Sequence, residues 1–159
     1  MAARIYPVDY YYTTVDDRPG QGCRFLRALA AEDVNLVAFN AFPVGRERTQ
    51  LVIYPLNAVW LGDFARHEGL QLQGPHHAFI VQGDDELGAL VNIHEKLCNE
   101  DINVSSANGI TDGRGGYRYI LHVHPEDYER ALAVLGVDQN LRPLAEYHLD
   151  LRRRFQAKG

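Results

Sequence analysis

The chain has 159 residues, 46% of them hydrophobic and 23% charged, proportions that fit a soluble globular protein of one ordinary domain or two very small ones. A net charge of −5 argues against a general binder of phosphate backbones, so no nucleic-acid partner is expected. No apolar run approaches the roughly 18 residues of a membrane span, and Met1 to Pro7 lacks a signal-peptide apolar region. Cys23 and Cys98 have no Cys-X-X-Cys spacing, so the expectation is a cytoplasmic protein with free thiols and no membrane contact.

Residues 1 to 7 read as an irregular lead-in. Asp9 to Val15, with Tyr10-Tyr11-Tyr12, reads as a strand with aromatic surface on both faces. Asp16 to Gly20 is a turn in which Pro19 is pre-set for the first helical turn and Asp17 can cap it. Phe25, Leu26, Leu29 and Ala30 then fall on one helical stripe. Strands are predicted at Leu36 to Phe42 and Thr49 to Tyr54, joined through the charged tip Gly45-Arg46-Glu47-Arg48. Asn57 is placed to cap a helix carrying Trp60, Leu61, Phe64 and Ala65, and Leu70 to Gln73 alternates as a short strand. Gly74-Pro75-His76 reads as the linker.

From there the plan starts again. His77 to Gln82 is a strand, and Leu90, Ile93, His94, Leu97 and Cys98 mark a helix. Asn103 to Thr111 and Tyr117 to Val123 are strands about a Gly-rich tip, with Tyr117, Tyr119, Leu121 and Val123 on one face. Pro125 opens a helix that Gly136 ends. Val137 to Leu141 is expected as the last strand, and Leu144, Tyr147, His148, Leu151 and Phe155 mark an amphipathic C-terminal helix.

The recurrence is literal. Val15-Asp16-Asp17-Arg18-Pro19-Gly20 is matched 68 positions on by Gly83-Asp84-Asp85-Glu86-Leu87-Gly88, and Glu32-Asp33-Val34-Asn35-Leu36 by Glu100-Asp101-Ile102-Asn103-Val104. The same offset carries Leu29 onto Leu97 and Asn40 onto Asn108. Such an offset marks one structural unit written twice.

Two motifs in this register, Asp17-Arg18-Pro19-Gly20 with Val34-Asn35-Leu36 and Asp85-Glu86-Leu87-Gly88 with Ile102-Asn103-Val104, resemble those of a tandem ACT domain protein. That family is a βαββαβ regulatory module for amino acids and similar small metabolites. The resemblance covers roughly residues 8 to 140 and departs from the pattern at Leu87, where the first copy has Pro19. It implies an α+β fold of two ferredoxin-like units in tandem, at 8–74 and 75–141, with antiparallel sheets and helices on one face, and a C-terminal helix or tail at 142–159.

From the residues themselves, each strand-to-helix turn offers unpaired N–H groups for a carboxylate and an aspartate for an ammonium group. The alternative use of the same residues is helix capping. Asn35 and Asn103 offer amide donors and an acceptor; the alternative is an Asn ending a helix in the left-handed conformation. The resemblance implies a ligand between paired units, touching the turn of one and the strand start of the other. Carried over, this marks Asp17, Arg18, Gly20, Gln21, Asn35 and Leu36 in the first copy. In the second it marks Asp85, Glu86, Gly88, Ala89, Asn103 and Val104.

The close histidine pairs, His76-His77 and His122-X-His124, lack a recognisable metal-ligand set, so no metal site is assigned. No nucleophile-and-base cluster or nucleotide fingerprint is visible. The expected function is therefore non-catalytic regulatory binding of a small metabolite, an amino acid above all, with no cofactor. A homodimer is expected because the tyrosine-rich strand and a bare sheet face need cover, and a regulated protein partner would receive the signal. The rival is a protein-interaction or assembly module with a decayed ligand site; a small ferredoxin-like enzyme is a third reading.

Overall fold

A computed structural model describes residues 3–56, 58 and 61–137. Its elements run β1 (Arg4–Asp16), α1 (Gln21–Ala31), β2 (Leu36–Pro43), β3 (Arg48–Pro55), α2 (Leu61–Glu68) and β4 (Gln73–Asp84). They continue with α3 (Val91–Asn99), β5 (Val104–Thr111), β6 (Gly116–Val123), a 3-10 turn at Pro125–Asp127 and α4 (Tyr128–Leu135). The chain forms two compact units. The first is Asp9–His76; among the described residues the second joins 3–8 to 77–137.

In the first unit the strand order is β2-β3-β1-β4, and β1 and β2 each pair antiparallel with β3. In the second it is β5-β6-β4-β1, and β4 and β5 each pair antiparallel with β6. The alternation of a strand places every second side chain on one face. In the first unit that set, Leu51 and Ile53 of β3, meets Phe25 and Leu29 of α1 and Leu61 and Phe64 of α2. In the second, Phe79 and Val81 of β4 and Leu121 and Val123 of β6 meet Ile93 and Leu97 of α3 and Ala131, Leu132 and Leu135 of α4. This is the ferredoxin-like α+β arrangement expected from the resemblance. No helix among the described residues is long and apolar enough to cross a membrane.

The repeat holds at atomic detail. β2 and β3 map onto β5 and β6 at an offset of 68, ends included. The N–H of Asp17 donates to the carbonyl of Glu47 at 2.9 Å, and that of Asp85 to the carbonyl of Gly115 at 2.8 Å. Both copies shift strand register at the same place, between Leu36 and Ala38 and between Val104 and Ser106. Each first helix ends at an aspartate with φ of 56°, Asp33 or Asp101. Beyond it the N–H of Val34 reaches back to Leu29, and that of Ile102 to Leu97, both at 2.9 Å. The left-handed residue is thus the aspartate two positions before each asparagine, and the helix-ending role considered for Asn35 and Asn103 is taken.

The structure revises several local expectations. Arg4 to Val8 are strand, not lead-in, and Ala3 and Ile5 pack on the core of the second unit. Gly74-Pro75-His76 lies inside β4, whose strand begins at Gln73 rather than Leu70. Gly74 has φ of 144°, and a Cβ there would stand 2.7 Å from the Tyr11 ring, so backbone and ring approach as only glycine allows. The sheet face opposite the helices is not bare. Tyr54 is 1% exposed, with Val52, Ala78 and Ile80 also buried. Tyr10 lies against Tyr54, and His76 against Tyr10 and Tyr12, with ring centroids 5.2–5.4 Å apart. Asn57, Trp60, the strand expected to Leu141 and the C-terminal helix lie outside the described residues.

Left-handed backbone costs a residue with a Cβ about 1–2 kcal/mol, and aspartate tolerates it better than most. Asp33→Val or Asp101→Val should therefore lower stability in urea by about 1–2 kcal/mol, while Asp33→Gly and Asp101→Gly should not. Equal tolerance of Val and Gly would show that neither helix exit is left-handed at its aspartate.

Candidate functional site

The two strand-to-helix turns are built alike but close differently. In the first, the Asp17 carboxylate accepts the Thr49 hydroxyl at 3.1 Å instead of capping α1. Gly20, with φ of 90°, takes the N-cap position, and no side chain caps the helix. Asp17, Arg18 and Gly20 are exposed and Gln21 is half-buried. Neighbouring Asp16 is held by Arg48 at 3.3 Å. The expected capping by Asp17 is thus replaced by a cross-turn bond, because the left-handed Gly20 rather than an aspartate opens the helix.

In the second turn the peptide N–H of Ala89 donates to Glu86 at 3.0 Å and that of Val91 to Gly88 at 2.9 Å. The helix begins at Val91, whereas the repeat equivalent of Gln21 is Ala89. Proline pre-sets φ for a helical start; Leu87 in its place does not, and its side chain is fully exposed. No side chain caps α3 either.

Asp85, Glu86, Gly88 and Ala89 come together in one cleft of about 510 Å³. They face the ends of β5 (Gly109 to Thr111) and β6 (Tyr117 to Tyr119). At Gly109 an added Cβ would lie 2.9 Å from the Tyr119 ring, so the strand opens onto that ring only because the residue is glycine. Tyr119 bonds through its hydroxyl to His94 Nε2 at 2.8 Å. Burial raises the pKa of Tyr119 above that of an ordinary phenol, and burial followed by the charge of Asp84 raises that of Tyr117. Both phenols line the cleft, and the Tyr119 hydroxyl is engaged with His94. Val91 and Ile110 add exposed apolar surface, and Asp85, Glu86 and Arg118 supply charges of both signs. The cleft volume lies within the roughly 300–1,000 Å³ usual for small-molecule sites.

The asparagines sit elsewhere. Asn35 Oδ1 accepts the N–H of Leu36 at 2.9 Å, and its carbonyl accepts that of Leu56 at 2.8 Å. Asn103 is exposed, and Val104 begins β5. Val104 and Thr111 are the two ends of β5, roughly 23 Å apart at strand rise, and Thr111 is the end at the cleft. Within one unit, Asn103 and Val104 are thus remote from Asp85, and one small ligand cannot touch both. Sequence reading missed Gly109, Ile110 and the His94–Tyr119 pair; a glycine inside a strand was the available signal.

No known protein family matches the chain by sequence, and no curated protein does. Solved structures do match in fold. The protein BT0572 from Bacteroides thetaiotaomicron superposes with a TM-score of 0.68 at 13% identity, covering 89% of this chain and 100% of that one. The regulatory subunit of aspartate kinase from Thermus thermophilus gives 0.57 at 14%, covering 86% and 97%. The aspartate kinase of Clostridium acetobutylicum, an allosteric enzyme, gives 0.53 at 15%, with 82% of this chain covering 33% of that one. At these identities the likeness is one of fold.

Gly109→Ala should lower stability by about 1–3 kcal/mol, the usual cost of overpacking, because the methyl would displace the Tyr119 ring. A urea midpoint equal to that of the parent chain would mean that strand and ring are not in contact.

Proposed function

We propose that this chain is a non-catalytic regulatory protein that binds a small metabolite of the amino-acid class between ACT-type units. The turn of one unit (Asp17, Arg18, Gly20 and Gln21, or Asp85, Glu86, Gly88 and Ala89) faces the strand start of another (Asn35 and Leu36, or Asn103 and Val104). The observation that carries this reading is the distance between turn and asparagine. They occupy opposite ends of a unit, so a small ligand that uses both must lie between two units. The uncapped starts of α1 and α3 leave first-turn N–H groups for a carboxylate, and the aspartates suit an ammonium group. The fold shared with a regulatory subunit of aspartate kinase favours regulation over catalysis.

A ligand held this way shifts the balance between arrangements only by its difference in affinity for them. The output passes to a protein partner in the cytoplasm. A homodimer supplies further unit pairs. β2 and β5 are the outermost strands of their units, and Phe42 and Ile110, equivalent positions on them, expose apolar side chains that a second copy could cover. The competing reading, an assembly module with a decayed ligand site, draws support from the second turn, where Leu87 stands exposed and the helix starts late.

A thermal-shift series against the twenty amino acids, with nucleotides as controls, separates the two. Ligand at 100 times its dissociation constant adds about 2.7 kcal/mol, a rise of several degrees. We expect one amino acid to raise the midpoint, and Asn35→Ala or Asn103→Ala to abolish the rise. No rise with any amino acid at millimolar concentration would favour the assembly module.

A further inference from the structure

The second unit buries side chains that its own helices do not cover. Its helix-facing core takes Ile5 from β1 and Phe79 and Val81 from β4. Alternation along each strand then turns Tyr6, Val8, Ala78 and Ile80 to the opposite face. None of these four belongs to a helix-facing core, yet they are only 8%, 6%, 0% and 5% exposed. Among the described residues, the helices of this unit are α3 and α4, and both pack on the other face. Side chains on an open sheet face shield one another's flanks but keep their ends in water. Burial this deep requires a layer on top.

The burial is graded across the unit. It is deep on β1 and β4 and partial at Ile120 and His122 of β6. It is gone on β5, where Asn108 and Ser106, the cross-strand partners of Ile120 and His122, are exposed. Along β4 it stops between Ile80 and Gln82, which is exposed. β1 and β6 flank β4 and so stand roughly 10 Å apart. An α-helix is about 10–12 Å across, so the covered strip of this unit is one helix wide.

We propose that residues 138–159 of the same chain form this cover, as an amphipathic helix laid across β1 and β4 of the second unit. Leu144, Tyr147, Leu151 and Phe155 fall on one helical stripe, and they would rest on Tyr6, Val8, Ala78 and Ile80. The described chain ends at Val137, just past α4. That exit stands beside the start of β1, since Ala3, Ile5, Leu135 and Gly136 line one cavity. The place beside β4 where a last strand at Val137 to Leu141 would pair is held by Arg4 to Val8. Residues 138–143 can span up to about 20 Å, twice the roughly 10 Å between packed layers, which is enough to round the end of the sheet. The face is then closed within one chain, and a second copy would meet the edge strands instead.

The test is isotope-filtered NOE spectroscopy on the unaltered full chain. Ring protons of Tyr147 and Phe155 should show contacts to the methyl groups of Val8 and Ile80, and none to Val81 or Ile93 in the helix-facing core. In a sample mixing labelled and unlabelled chains, those contacts should stay within one chain. Contacts between chains would give the face to a second copy and overturn the proposal. Absence of any contact to Val8 and Ile80 would also overturn it and leave the face to a different partner. The double variant Leu151→Asp, Phe155→Asp should uncover the apolar face. Fluorescence of a dye for exposed apolar surface should then rise severalfold at unchanged far-UV circular dichroism. Parent-like dye fluorescence in a folded variant would count against the cover. The NOE contacts, read on the parent chain, decide the matter whether or not the variant folds.

Discussion

A sheet covered by two helices has a limited core, and a unit of about 70 residues has little surface to spare. Each unit here needs a strand beside β4, and both draw it from β1. Asp9 to Asp16 completes the first, and Arg4 to Val8 completes the second. Tyr6 and Val8 are buried, and Ile5 packs on the second core and lines a cavity beside it. The division of one strand between two cores fixes where the second unit's helices find their floor. It also puts an N-terminal residue in the wall of a cavity whose rim is built from residues 84–96.

Against this shared scaffold, the differences between the copies are informative. Strand registers, helix exits and hairpin bonds coincide at an offset of 68, so packing constraints act equally on both. What departs is the second turn, with Leu87 for Pro19, and the pair Gly83–Tyr117 for Val15–Thr49. Both departures border the cleft or the cavity of the second unit. Glycine facing tyrosine makes room without breaking the ladder.

Much of the fold was legible in the sequence, because the signals that set it are local. The alternation from Tyr117 to Val123 becomes a strand with that set buried, and the Glu-Asp-apolar-Asn-apolar motif marks each helix exit. What escaped is non-local. Arg4 to Val8 looked irregular because Pro7 interrupts it, and its partner strand lies beyond residue 76. Asp17 had the position of a cap, but Gly20 in the left-handed region redirects the chain, and the carboxylate turns to Thr49. The turn residues Asp85 to Ala89 were found by motif. Gly109, Tyr119 and His94, which face them, come from separate elements that only the folded sheet brings together.

The division of β1 between two cores is tested most directly by native-state hydrogen exchange with one core weakened at a time. Leu97→Ala and Phe64→Ala each remove a fully buried side chain from one core, a loss of about 2–5 kcal/mol. Leu97→Ala should speed exchange in Arg4 to Val8 and spare Asp9 to Asp16. Phe64→Ala should do the reverse. If both halves of β1 respond alike to both substitutions, the strand belongs to a single core and the two-unit account is wrong.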